Sequence, residues 1–140
     1  MATYNKFYDF VEQLASAKHD LTASGHVLKV YLSNTQPTSG MTTKGDCSEI
    51  TATMGYPTGG SDITNAVSES NGTLTMTGAD VTFTATGGSF GPFRYAIVYN
   101  STQTTPSSPL VCWWDYASSI SCNAGETFTV DFGASVLTLS

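Results

Sequence analysis

Phe93-Arg94-Tyr95-Ala96-Ile97-Val98-Tyr99-Asn100 is the stretch on which the fold turns. In an extended chain successive side chains point to opposite faces. Phe93, Tyr95, Ile97 and Tyr99 therefore share one face, and Ala96 and Val98 lie on the other. Both faces are apolar, which predicts a central strand covered on both sides. Beyond a loop carrying Pro106 and Pro109, Leu110-Val111-Cys112-Trp113-Trp114-Asp115-Tyr116 repeats the pattern. Trp113 and Trp114, as neighbours on a strand, must face opposite ways.

Working outward, Ser118 to Cys122 reads as a further strand, and Asn123-Ala124-Gly125 as a turn. Glu126 to Phe132 follows with Phe128, Val130 and Phe132 inward, and Ser135 to Leu139 closes the chain. Upstream, Gly87-Gly88-Ser89 is a turn. Thr73–Thr77 and Asp80–Thr84 each alternate threonine with apolar side chains. Signals weaken between Asp46 and Asn71, where two short strands are expected near Ser48–Met54 and Asp62–Ser68, separated by Gly55-Tyr56-Pro57-Thr58-Gly59-Gly60. Val27 to Ser33 is the first strand, followed by a loop from Asn34 to Gly45. About seven to nine short strands at this spacing predict an all-β, mainly antiparallel, jelly-roll-like β-sandwich.

The N-terminal segment has another period. Tyr4, Phe7, Tyr8, Val11, Leu14 and Ala15 recur at helical spacing, so Thr3 to Lys18 is expected to form one amphipathic α-helix. Thr3 is its expected N-cap, and Lys18 and His19 suit its C-terminal end. The whole chain, 1–140, reads as one domain: helix 3–18, then sandwich 27–140.

Composition excludes several classes of partner. Charged residues make up only 11% of the chain and the net charge is −6. Lys6, Lys18, Lys29 and Lys44 lie in the first third, and beyond Gly45 only Arg94 is strongly basic. Phosphate backbones and anionic lipid both require clustered cations, so neither nucleic acid nor membrane is an expected partner. No signal segment opens the chain and no apolar run is long enough to span a bilayer, which predicts a soluble protein made in the cytoplasm. Cys47, Cys112 and Cys122 match no zinc spacing and read as buried thiols.

The sequence offers little reactive chemistry. Asp115, Glu126 and Asp131 lie on or beside expected strands and could supply a glycosidase pair, but Asp131 alternates with Phe128, Val130 and Phe132 and should face solvent. His19 and His26 read as a capping or surface pair, with no strained elbow to raise a serine nucleophile. No catalytic, metal-binding or cofactor-binding residue is assigned, and no small-molecule substrate is expected. The candidate interface residues are Tyr4, Phe7, Tyr8, Arg94, Trp113 and Trp114. The aromatic ones are either core or anchors for another protein, and one tryptophan could be a sugar-stacking platform. Arg94 is expected to pair with a carboxylate such as Asp115 or to stack on an aromatic face.

Particular stretches carry a family resemblance. They are Tyr4-Asn5-Lys6-Phe7, Phe10-Val11-Glu12, Leu14-Ala15, Leu28-Lys29-Val30 and Leu32-Ser33-Asn34-Thr35-Gln36-Pro37. Further along come Gly87-Gly88-Ser89-Phe90-Gly91-Pro92-Phe93-Arg94-Tyr95 through Tyr99-Asn100, Trp113-Trp114-Asp115-Tyr116 with Ser118-Ser119, and Gly125-Glu126-Thr127-Phe128-Thr129-Val130-Asp131-Phe132. Together they resemble small virion structural proteins of tailed bacteriophages, least so over Thr38–Asn71. The resemblance implies a non-enzymatic capsid decoration (cement) protein, a jelly-roll-like sandwich on the capsid exterior that clamps and stabilises the major capsid protein shell. Self-association as a dimer or trimer is expected on such a lattice. The three cysteines depart from the family pattern and leave an inter-subunit disulfide open. Two alternatives are a tail or adhesion component binding host glycan through exposed aromatics, and a small secreted hydrolase.

Overall fold

The computed structural model describes residues 2–140. In chain order its elements are β1 (Thr3–Lys6), α1 (Tyr8–Ala15), β2 (Leu28–Ser33), β3 (Ser61–Ile63), β4 (Asn65–Ser70), β5 (Thr73–Gly78), β6 (Val81–Thr84), β7 (Phe90–Asn100), β8 (Leu110–Cys122), β9 (Thr127–Val130) and β10 (Leu137–Leu139). A 3-10 turn spans Lys44–Asp46. All the strand pairings are antiparallel, in a five-stranded sheet of order β1-β8-β7-β2-β3, a three-stranded sheet β10-β5-β4 and a two-stranded pair β6-β9. The protein is an all-β sandwich with one α-helix, as its alternation predicts.

The five-stranded sheet carries apolar side chains on both faces because each face has its own cover. Towards the smaller sheets, Leu28, Val30, Leu32, Phe90, Phe93, Ala96, Val98, Cys112 and Trp114 meet Met76, Val81, Phe83, Val130 and Leu137. On the far side Tyr31, Tyr95, Ile97, Tyr99, Leu110 and Trp113 pack with Phe7, Cys47 and Met41. That second cover is drawn from the irregular chain after Asn34, through Met41, Lys44 and Cys47, together with Phe7, which joins β1 to α1; further along the same chain Ile50 and Tyr56 pack into the inner core. β7 is central, between β2 and β8, as expected for a strand without a polar face.

Several details differ from the sequence reading. The helix expected over Thr3–Lys18 is divided: Thr3–Lys6 is a strand and only Tyr8–Ala15 is helical. β8 would otherwise be an edge strand with unpaired backbone groups, and the first residues pair with it, Tyr4 opposite Trp114 and Lys6 opposite Cys112. Phe7, not Thr3, is the N-cap, with extended backbone and no side-chain cap bond. The helix ends at Ala15 in a Schellman arrangement. Lys18 N–H donates to Gln13 O (2.8 Å) and Ala17 N–H to Leu14 O (3.2 Å), with Ala17 at φ 60°.

Ser48–Met54 forms no strand, and the stretch expected as one strand over Asp62–Ser68 is divided between β3 and β4. Ser118–Cys122 continues β8 instead of starting a new strand, the chain kinking at Ala117 (φ 70°). β7 begins at Phe90, earlier than the expected Phe93. Its register against β8 shifts between Phe93 and Tyr95, so Phe93 does not share a face with Tyr95, Ile97 and Tyr99. A bulge moves every side chain on one side of it to the other face. Phe93 accordingly packs in the inner core, at 4.7 Å from Phe128 between ring centroids.

Candidate interaction surface and buried polar clusters

The six candidate interface residues fall into three groups. Phe7, Trp113 and Trp114 are core residues. Phe7 is fully buried and stacks tilted on Trp113 at 4.5 Å between ring centroids, beneath the outer cover. Trp114 faces the inner core against Phe132 at 5.4 Å. The two tryptophans are 6% and 8% exposed, so both act in packing, one on each side of a doubly covered strand.

Arg94 forms the second group. Its Nε donates to Asp115 Oδ1 (2.7 Å) and an Nη to Oδ2 (3.1 Å), a two-point pair across β7 and β8. The guanidinium also lies 5.4 Å from the centre of the Tyr95 ring. Hydrogen bonding to Arg94 in the first place, and the Ala117 N–H in addition, hold the Asp115 carboxyl below its ordinary value. Here the sequence expectation holds on both counts.

Tyr4 and Tyr8 are the exposed group, at 40% and 71%. Around α1 the buried side is carried by Phe10 and Leu14, four residues apart. The expected stripe is therefore rotated: Tyr8, Val11 (45% exposed) and Ala15, at i, i+3 and i+7, point outward. Phe10, absent from the expected stripe, is the anchor because its ring packs on the His19 imidazole at 5.1 Å. Of the five exposed large apolar side chains among the described residues, Tyr4, Tyr8 and Val11 fall within eight positions of sequence. Beside them, Tyr4 and Trp114 line a cleft of about 290 Å³ with Ser135, Val136, Leu137 and Thr138.

The three acids considered for catalysis are engaged locally and separately. Asp115 holds Arg94 and Ala117 N–H, Glu126 accepts from Asn123 N–H (2.7 Å), and Asp131 accepts from Gly133 N–H (2.8 Å). Asp131 is exposed, as its alternation predicts. Among the described residues no three of His, Cys, Asp and Glu lie close enough to hold a metal ion. Cys47, Cys112 and Cys122 are free and buried. Burial pushes each thiol above its ordinary value, which leaves them little thiolate character.

Sequence reasoning missed two polar clusters. In the first, Glu49 accepts from Lys44 Nζ (3.0 Å), Tyr56 hydroxyl (2.8 Å) and Gly59 N–H (2.7 Å). Lys44 Nζ lies 4.7 Å from the Tyr31 ring centre and 5.7 Å from that of Tyr99, so the pair fastens the outer cover over the sheet. The second joins His19, His26 and Asn100 at the end of β7. His19 is not a surface residue, being 7% exposed, and Asn100 is fully buried; His26 is half-buried and lines a surface cleft. No local sequence signal links residues 74 to 81 positions apart.

Comparison with protein-family models, with curated proteins and with solved structures finds no match to this chain. No helix among the described residues is long and apolar enough to cross a membrane.

Proposed function

We propose that this chain is a non-enzymatic structural protein of a tailed-phage particle, a decoration protein that binds the assembled shell of the major capsid protein. The observation that carries the reading is the outward stripe Tyr8-Val11-Ala15 on α1. A helix normally buries its apolar stripe. This one buries Phe10 and Leu14 and leaves a second apolar side open, on a protein whose charged residues are only 11% of the chain. Such a surface costs little to desolvate against another protein. The resemblance of the N-terminal, β7, β8 and β9 stretches to small virion proteins names the kind of partner. A repeating shell supplies many copies of a weak contact, so affinity comes from avidity and needs no deep pocket.

The test is co-sedimentation with undecorated shells assembled from tailed-phage major capsid protein. Saturable binding to shells, absent with unassembled capsid protein and lost in Tyr8→Ser/Val11→Ser, is the expected result. A folded wild-type protein that stays in the supernatant at saturating shell concentration overturns the proposal.

A second reading is favoured by the Tyr4–Trp114 cleft, where aromatic edges and the hydroxyls of Ser135 and Thr138 could receive a sugar ring. On that reading the protein belongs to a tail or adhesion device. Glycan-array binding abolished by Tyr4→Ala selects it over shell binding, and an empty array removes it.

A further inference from the structure

Asn100 is the centre of a hub that joins two stretches of chain, residues 16–27 and residues 100–103. Its Oδ1 accepts from the backbone N–H groups of Thr102 (3.0 Å) and Gln103 (3.1 Å). That fixes the orientation of the amide, because an NH₂ group there would face two donors. The Nδ2 end must then point to the histidines, 3.1 Å from His19 Nδ1 and 2.9 Å from His26 Nδ1. An amide nitrogen has only protons to offer, so each Nδ1 is an unprotonated acceptor and each imidazole is neutral, with its proton on Nε2. His26 Nδ1 also faces the Asp20 N–H (3.3 Å), a second donor that requires the same state.

The consequence for the fold is local and large. Through these bonds the end of β7 holds the irregular chain from Ser16 to Val27. Val27 N–H donates to Thr102 Oγ1 (2.8 Å) and Val27 O accepts from Ser101 N–H (2.9 Å), so one site fastens the segment after α1 and the loop after β7. His19 Nε2 meanwhile is buried and has no partner, the single such side-chain atom among the described residues. In the closed state this N–H goes unsatisfied, and on opening it regains water.

We propose that the His19–Asn100–His26 hub is an acid-opened latch: protonating either Nδ1 sets N–H against N–H and releases residues 16–27 from the end of the sheet. Three carboxylates stand round it: Asp9 from α1, Asp20 from the loop itself, and Asp62 of β3, which lines the same surface cleft as His26. Asp62 is partly answered by Lys29 (3.4 Å), and the Asp20 carboxylate by Thr22. From Tyr95 to Thr105 the chain carries no Asp, Glu, Lys, Arg or His, and Arg94 of β7 is paired with Asp115. The three carboxylates steady an imidazolium in the closed state too, Asp9 raising the His19 value, so the drive to open comes from burial of the ring and from the clash with the Asn100 amide. Burial, and next to it the proximity of His26, hold His19 at about 4 in the closed state. Opened to water it returns to about 6.5. Between those two values each unit of acidification multiplies the open fraction by up to about tenfold through His19. The latch depends on the hub alone and stands whether or not the protein binds capsid shells.

Nitrogen-15 NMR of the intact protein at neutral pH should show both rings as Nε2–H tautomers. Hydrogen exchange, corrected for intrinsic rates, should show amides of residues 20–27 and 101–103 losing protection by roughly tenfold per pH unit from pH ~6.5 to ~5. Amides of Ala96–Val98 should stay protected. His19→Gln/His26→Gln keeps an acceptor at each position without a titrating group, and should flatten that slope. If the double variant does not fold, the wild-type measurements decide by themselves. A proton on Nδ1 of either ring at neutral pH, or unchanged protection at residues 20–27 across the range, overturns the latch.

Discussion

Glu49 and Asp115 show how differently a carboxylate can serve the same sheet. The Glu49 side chain is 14% exposed and meets three donors, so its removal strands an ammonium, a tyrosine hydroxyl and a backbone N–H together. Glu49→Ala is expected to cost about 3 kcal/mol in urea unfolding, since breaking one side of a buried pair leaves the other uncompensated. Asp115 is more open to water and its effect should appear as pH dependence. Because the folded carboxyl titrates below its ordinary value, its contribution is complete above pH ~4 and is lost on further acidification. The melting temperature of Asp115→Asn should lie below wild type at neutral pH, with the gap closing below pH ~4. A gap constant with pH would mean that Arg94 is held by something other than this charge.

At the scale of elements, α1 is both anchored and exposed. Phe10 is fully buried against His19 and the inner core, so Phe10→Ala should cost about 3–5 kcal/mol. Val11→Ala, one position on, points outward and should change stability by less than about 0.5 kcal/mol. Equal losses at the two positions would mean that the helix is rotated from the orientation described above. The helix ends on Ala17 in the left-handed region, where a Cβ is unfavourable and glycine is the usual occupant. Ala17→Gly is therefore expected to raise stability by about 0.5–1 kcal/mol, read as a higher urea midpoint at unchanged slope. The helical period of residues 4–15 was legible in the sequence, but its phase and length were not. The phase depends on where Phe10 finds a partner, and the length on β8 recruiting Thr3–Lys6 as a strand.

For the molecule as a whole, the five-stranded sheet needs two covers, and one of them has no regular structure. The chain from Asn34 to Gly60 is held by the Lys44–Glu49 pair, by Tyr31 hydroxyl on Cys47 O (2.9 Å) and by Tyr99 hydroxyl on Gly59 O (2.8 Å). It returns to β2 at Gly60, at φ 76°, where an added Cβ would run into the Val30 carbonyl oxygen. Gly60→Ala is expected to lift that cover, costing at least about 2 kcal/mol and exposing Tyr31, Tyr99 and Trp113. Tryptophan fluorescence shifting to the red under native conditions would register it, and an unchanged spectrum and midpoint would contradict it.

The sequence by itself determined the antiparallel sandwich, the doubly covered central strand and the burial of the three thiols, and it named Asp115 as one of the partners open to Arg94. These follow from alternation, from the rarity of charge and from cross-strand partners, which neighbouring residues already express. Tertiary structure alone decided which side of α1 faces out, that Thr3–Lys6 is an edge strand, that Phe93 crosses to the inner core, and that two histidines close on Asn100. A shift of register between β7 and β8 reverses a face, and a contact between residues 74 to 81 positions apart leaves no periodic trace. Such choices are settled by the arrangement that buries most apolar surface and leaves fewest backbone groups unpaired, a property of the packed chain and not of any segment within it.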